Sequence, residues 1–305
     1  MTKSSRNKTI HTDLERGAQY LERCLEVSDL SGEVPLNRTI HGDTFEAMGR
    51  LPESFADLII ADPPYNLNKK YNGRSFGKMD AGEYEAYTRK WIEAAKPLLK
   101  ETGSIYVCCD WESSLIIGRI LGEYFTVRNR ITWQREKGRG ALTNWKNSME
   151  DIWFATVSNK YTFNVEDVKL RRKVIAPYRE DGVPKDWIES KNGNYRDTHP
   201  SNFWDDITVP FWSMPENTEH PAQKPEKLIA KLILASSNKG DTVFDPFLGS
   251  GTTSVAAKKL GRNYLGVERE AEYCIWAEER LEMAEKDPRI QGYEDHVFWE
   301  RNYKG

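Results

Sequence analysis

Two short apolar runs, each closed by an aspartate and a proline, constrain this chain more than any other feature. The first is Asp57-Leu58-Ile59-Ile60-Ala61, followed by Asp62-Pro63-Pro64-Tyr65. The second is Asp241-Thr242-Val243-Phe244, followed by Asp245-Pro246-Phe247-Leu248-Gly249-Ser250-Gly251-Thr252. Each run reads as a buried strand ended by turn-forming residues. In an open α/β sheet, ligands sit just beyond the carboxyl ends of the strands. Both motifs can therefore line one crevice.

The two motifs offer different chemistry. After the second strand, Gly249 and Gly251 allow a tight turn and a close backbone approach to a ligand. Thr252-Thr253-Ser254-Val255-Ala256-Ala257 then opens a helix whose first-turn N–H groups the hydroxyls can serve. A phosphate loop would carry lysine before the Ser/Thr, whereas Gly251 is followed directly by Thr252, which disfavours nucleotide triphosphates. Gly261-Arg262-Asn263-Tyr264-Leu265-Gly266-Val267-Glu268 reads as a second strand ending in an acid. In nucleoside-binding α/β units, an acid about 20 residues beyond the glycine turn accepts hydrogen bonds from ribose hydroxyls. In Asp62-Pro63-Pro64-Tyr65, the prolines remove two N–H donors and stiffen the chain. That segment can only accept, through the Asp62 carboxylate and the Pro63 carbonyl. An exocyclic amine on a nucleobase has two hydrogens to donate, and binding both draws its lone pair out of ring conjugation. Tyr65 adds a face for the base to stack on, worth about 1–3 kcal/mol.

These residues resemble those of the β-class DNA amino-methyltransferases, in which the catalytic motif precedes the Phe-x-Gly-x-Gly cofactor motif and the target-recognition region lies between them. This chain has that order. His220-Pro221-Ala222-Gln223-Lys224-Pro225 resembles the class's His-Pro-x-Gln-Lys-Pro segment, and Ile40-His41-Gly42-Asp43 resembles the strand end that places a carboxylate near the cofactor's adenine amine. Leu248 stands where alanine is common. The resemblance spans roughly residues 37–285. It implies an α/β fold, a doubly wound, circularly permuted Rossmann-like methyltransferase sheet with an inserted target-recognition region, in which the Asp245 and Asp62 strands are neighbours. It also implies S-adenosyl-L-methionine as cofactor, held by Asp43, Asp62, His220, Lys224, Asp245, Phe247, Gly249, Ser250, Gly251, Thr252 and Glu268, with Lys224 near its methionine end. Catalysis falls to Asp62, Pro63, Pro64 and Tyr65, acting on a base flipped out of duplex DNA. Asp at the first motif position goes mostly with adenine N(6), and cytosine N(4) is the alternative. RNA or a small molecule is a further alternative substrate. A homodimer and a cognate restriction endonuclease are partners the resemblance leaves open.

The chain has 305 residues, 38% hydrophobic and 11% aromatic, enough for one large α/β domain with an insertion or for two small ones. No apolar run approaches a membrane span and the first residues carry no apolar signal region, so a cytoplasmic protein of a prokaryote or its virus is expected. Cys24, Cys108, Cys109 and Cys274 have no Cys-x-x-Cys spacing, and neither a metal nor a disulfide is expected. The net charge of −3 disfavours a polyanion partner until its distribution is considered. Basic residues gather at Arg128, Arg130, Arg135, Lys137, Arg139 and Lys146, and again at Lys169-Leu170-Arg171-Arg172-Lys173. Such clusters form an electrostatic footprint for phosphates, although each alone reads equally as solvated surface. Lys69, Lys70 and Arg74 lie in a polar loop directly after Tyr65, readable as a lid with phosphate contacts or as an ordinary exposed loop. The DNA-facing set is thus Lys69, Lys70, Arg74, Arg135, Lys137, Arg139, Arg171, Arg172 and Lys173.

Five segments follow. Residues 1–35 form a helical arm with an apolar stripe of Leu14, Ala18, Leu21 and Leu25 that packs on the body or on a second subunit. Residues 36–163 form the catalytic half, ending in a hairpin between 152–157 and 161–163. Residues 164–219, with Trp187, Trp204 and Trp212, form the target-recognition insertion. The cofactor half is 220–285, and 286–305 is a tail.

Overall fold

The computed structural model describes residues 6–66, 69–71, 74–76, 78–135, 142–174, 178–190 and 193–300. A nine-stranded sheet runs in the order Leu25–Glu26, Arg38–His41, Asn263–Glu268, Thr242–Asp245, Ala56–Ala61, Leu99–Cys109, Met149–Thr156, Thr126–Gln134 and Phe203–Trp204. Its strands are parallel except that Met149–Thr156 runs antiparallel to both neighbours. The Asp245 strand lies beside the Asp62 strand, with Val243 opposite Leu58 and Phe244 opposite Ile59. Although it comes far later in the chain, it sits at the point where the strand order reverses, as the permuted fold requires. Asp57 helps fix this register, its carboxylate accepting the Thr242 N–H at 2.9 Å and the Lys100 ammonium at 2.8 Å.

Alternation within the central strands divides the core into two layers. Ile59, Ala61, Ile105, Val107, Phe244 and Leu265 face a layer that includes Trp91, Ile92, Ile117 and Leu121. These come from helices Ala81–Ala95 and Trp111–Tyr124, whose N-termini are capped by Asp80 and Asp110. Leu58, Ile60, Tyr106 and Val243 face Leu228, Leu232, Val255 and Leu281 of helices Glu226–Ser236, Thr252–Lys259 and Ala271–Lys286. No described helix is long and apolar enough to cross a membrane.

Three expectations about elements need correction. Residues 161–163 add no strand, because Met149–Thr156 is already paired along both edges. Tyr161 and Phe163 instead pack on Phe154, with ring centroids 6.0 and 5.8 Å away. In helix Leu14–Leu21 the buried face is Gly17 and Tyr20, while Leu14 and Ala18 are exposed. The close approach of Gly17 to Ile275 lets that helix lie against Ala271–Lys286. Finally, of the expected tail 286–305, the described residues up to 300 are more than a tail. Val297–Trp299 pairs in parallel with Leu170–Lys173, which pairs on its other edge with Gly193–Thr198. The insertion's sheet is therefore completed by the chain's last described residues. Phe203–Trp204 leaves the insertion to extend the main sheet.

Candidate active site

Four neighbouring parallel strands end at one face, and each delivers an acid there. Arg38–His41 is followed by Gly42 and Asp43, Asn263–Glu268 ends in Glu268, Thr242–Asp245 ends in Asp245, and Ala56–Ala61 is followed by Asp62. All four acids line a cavity of about 320 Å³, together with Pro63, Pro64, Tyr65, His220, Lys224, Phe247, Gly249, Ser250 and Thr252. Two crowded motifs thus become one site through strand order alone.

On the glycine side, the loop is built by its own backbone. Glu268 accepts the N–H of Gly249 at 2.8 Å and that of Glu270 at 2.8 Å, so it braces the turn as well as lining the cavity. Asp245 accepts the Phe247 N–H at 2.9 Å. Burial pushes the Asp245 carboxyl up to about 7, against the Thr253 hydroxyl and Phe247 N–H, with Asp62 and Glu268 adding to the rise. Burial also raises Glu268. Asp43 caps helix Thr44–Arg50, accepting the N–H groups of Phe45 at 2.9 Å and Glu46 at 3.2 Å. Phe247 meets Trp91 edge-on at 5.6 Å. His220 accepts the Ala222 N–H through Nδ1 and lies edge-on to Tyr273 at 4.4 Å.

Gly251 differs from its sequence reading. Its φ is +85°, and a Cβ there would stand 2.6 Å from the Cβ of Ala277. Its lack of a side chain lets two helices pack, and it is absent from the cavity wall. Arg280, which sequence reasoning passed over, reaches under the loop from the same neighbouring helix. Its guanidinium donates to the Ser250 carbonyl at 2.7 Å, the Thr252 hydroxyl at 3.0 Å and Glu226 at 3.1 Å.

On the Asp-Pro-Pro-Tyr side, the groups close on one another. The Tyr65 hydroxyl donates to Asp62 Oδ1 at 2.8 Å, and the Lys224 ammonium donates to Asp62 Oδ2 at 2.5 Å and to the Tyr65 hydroxyl at 3.1 Å. Lys224, expected near a cofactor's methionine end, is thus turned onto Asp62. Burial alone would lower its proton affinity, but Asp62 and Glu150 outweigh it and hold the ammonium above its ordinary value. Burial, then Asp62 and Glu150, push the Tyr65 phenol well up. Glu150 was not singled out from sequence. Its only signal there was an acid opening a buried apolar strand.

The expected DNA-facing residues fare unevenly. Arg135 is turned inward onto Glu150. Arg171 makes two 2.7 Å bonds to Asp197 and covers Trp299, whereas Arg172 lies 3.4 Å from Asp205 and Lys173 is exposed. Lys69–Tyr71 and Arg74–Phe76 pair as an antiparallel ribbon. The side chains of Lys69, Lys70 and Arg74, and the whole of Lys137 and Arg139, lie outside the described residues. Among the described residues, no group of three His, Cys, Asp or Glu side chains could hold a metal ion.

A family model described as DNA methylase matches residues 56–279, which include both motifs and the cavity's principal walls. The chain belongs to the DNA methylase family. Type II methyltransferase M.HpaI of Haemophilus parainfluenzae is 35% identical over 250 residues, covering 80% of this chain and 74% of its own length. DNA adenine methyltransferase YhdJ of Escherichia coli (strain K12) is 33% identical over 256 residues, covering 80% of this methylase and 82% of its own length. Among solved structures, the M1.HpyAVI–SAM complex superposes with a TM-score of 0.52 at 27% identity, covering 80% of this chain and 98% of that one. The PvuII DNA methyltransferase (cytosine-N4-specific) reaches 0.58 at 18% identity, covering 85% and 93%, and shares the fold. This methylase is therefore an α/β enzyme of the same fold, with its permuted order of motifs.

Proposed function

We propose that this DNA methylase transfers a methyl group from S-adenosylmethionine to the exocyclic N(6) amine of an adenine flipped out of duplex DNA. One observation carries the reading. The acceptor-rich Asp62-Pro63-Pro64 segment with Tyr65 and the acid-rich glycine turn share one cavity, on adjacent parallel strands. Adenine is favoured over cytosine N(4) because Asp62 heads the motif and because YhdJ, at 33% identity, is named for adenine.

The residues fit the cofactor. Asp245 is a buried carboxylate whose partners are a backbone N–H and a hydroxyl, which suits a ligand that brings positive charge. Glu268 and Asp43 suit ribose hydroxyls and an adenine amine, while Phe247 and Leu248 offer apolar walls. S-adenosylmethionine, when bound, supplies a methyl group on a cationic sulfur. Asp62 and the Pro63 carbonyl then hold the hydrogens of the target amine, which leaves the nitrogen nucleophilic, and Tyr65 stacks the base. Proximity and orientation supply most of the acceleration.

A paired base cannot reach the floor of such a cavity, so it leaves the stack at a cost of a few kcal/mol. Strand Thr126–Gln134 ends at the cavity end of the sheet, and described residues 142–148 lead from there into Met149–Thr156. There Leu142 is fully exposed and Trp145 is 96% exposed, beside Lys146. Apolar side chains so presented suit a DNA step opened by base extrusion. The ribbon after Tyr65 is the second DNA-facing element of this reading. We place the activity in the cytoplasm of a prokaryotic cell. The test is direct: purified protein, labelled cofactor and unmethylated duplex DNA, followed by nucleoside analysis. Label in N(6)-methyldeoxyadenosine supports the reading, and label in N(4)-methyldeoxycytidine or in no nucleoside rejects it.

A further inference from the structure

Both oxygens of Asp62, the group meant for the target amine, are occupied from within the protein. Tyr65 donates to Oδ1 at 2.8 Å and Lys224 to Oδ2 at 2.5 Å. These two occupants share a second acceptor. Glu150 Oε2 lies 3.5 Å from the Tyr65 hydroxyl and 3.5 Å from the Lys224 ammonium. Its other oxygen, Oε1, is held by Arg135, which fixes the carboxylate and leaves Oε2 facing the site. Glu150 is 4% exposed, so no bulk water competes for that oxygen.

Charge explains why such an acceptor is needed. An incoming amine is neutral and donates hydrogen bonds, so it can take the place of an ammonium on Asp62 but cannot replace its charge. An ammonium buried as deeply as that of Lys224 needs a carboxylate wherever it goes. A shift of less than about 1 Å brings either 3.5 Å contact into the ordinary hydrogen-bond range. We propose that Glu150 is a positioning residue for methyl transfer, receiving Lys224 and the Tyr65 hydroxyl as the target amine displaces them from Asp62. Arg135, on the other oxygen, keeps that carboxylate in place. The inference rests on the proposed function, since it presumes an amine that enters this site.

The experiment compares wild type, Glu150→Gln, Tyr65→Phe and the double variant on unmethylated duplex DNA. Turnover, KM for DNA, cofactor affinity by calorimetry and Tm are recorded for each. Glu150→Gln keeps the shape and removes the charge. It is expected to lower turnover at least about tenfold while DNA KM, cofactor affinity and Tm stay near wild type, the pattern of an interaction made after binding. In the Tyr65→Phe background, where one of the two displaced groups is already gone, the loss should shrink by about threefold or more, a coupling that independent sites do not show. Wild-type turnover in Glu150→Gln overturns the proposal. So does a loss of equal size in both backgrounds, or one accompanied by lost cofactor affinity and lowered Tm, which marks Glu150 as merely structural. A wild-type protein that methylates no DNA would instead refute the proposed function, and calorimetry with Glu150→Gln would still report whether the fold needs that carboxylate.

Discussion

Asp62 and Asp245 have contrasting surroundings, although both are aspartates at the ends of adjacent strands. Asp62 is held by two donors, which the substrate replaces in the proposed function, whereas Asp245 is buried and pushed up to about 7. Asp62→Ala should lower turnover at least about a hundredfold with the fold intact, as for other preorganised electrostatic contacts. Near-normal turnover would remove it from the mechanism. Tyr65→Ala should be as severe through lost stacking, while Tyr65→Phe should be mild. A severe phenylalanine phenotype would show that the hydroxyl does more than rest on Asp62. For Asp245 the sign follows from its raised value. A cationic ligand favours the carboxylate, so binding below pH 7 must release a proton. Cofactor affinity should climb about tenfold per pH unit up to near 7 and level off above it. Calorimetry in buffers of different protonation enthalpy checks this, and a flat profile, or one falling with pH, would place the cofactor's charge elsewhere.

At the scale of elements, the glycine loop and the helices beneath it behave as one unit. Gly251→Ala adds a Cβ at a positive φ and within 2.6 Å of Ala277. It should cost about 2–4 kcal/mol from strain and overpacking together, read as a lowered Tm, and cofactor affinity should fall with it. An unchanged Tm would mean that the helices can part without penalty. The insertion's sheet permits a second test. Because Arg171 is committed to Asp197, neutralising Arg172 and Lys173 should flatten the salt dependence of DNA binding more than neutralising Arg171. Equal effects would return Arg171 to the DNA-facing set. The two motifs were legible in sequence because their chemistry is local: prolines that cannot donate, glycines that can turn, acids at strand ends. Glu150 was not, because its role depends on an antiparallel strand that brings it beside Tyr65 and Lys224 from a distant part of the chain. Leu14 and Ala18 do not pack on the body for a related reason. Helical spacing identifies a face but not whether a close-packing glycine on another face will win the contact.

In the whole molecule, the strand before the glycine turn meets the strand before Asp62 at the pairing of Val243 with Leu58 and Phe244 with Ile59. The resemblance to the permuted amino-methyltransferases already implied that neighbourhood. It did not reveal that the last described strands complete the insertion's sheet, since two- and three-residue strands leave little periodic signal. Exchanging residues 164–219 for a relative's segment should change which sites are methylated without changing the methylated atom, provided residues 293–299 are exchanged with it. Unchanged sites would place specificity in residues 135–148 or in the ribbon after Tyr65. In the proposed function a single cavity methylates adenine through Asp62. Its most direct test is to sequence, for modified bases, the genome of a methylation-free host expressing either the wild-type chain or Asp62→Ala. The expected result is N(6)-methyladenine at one recurring short sequence in the first and none in the second. Modified cytosine, or adenine methylation that survives Asp62→Ala, would contradict it.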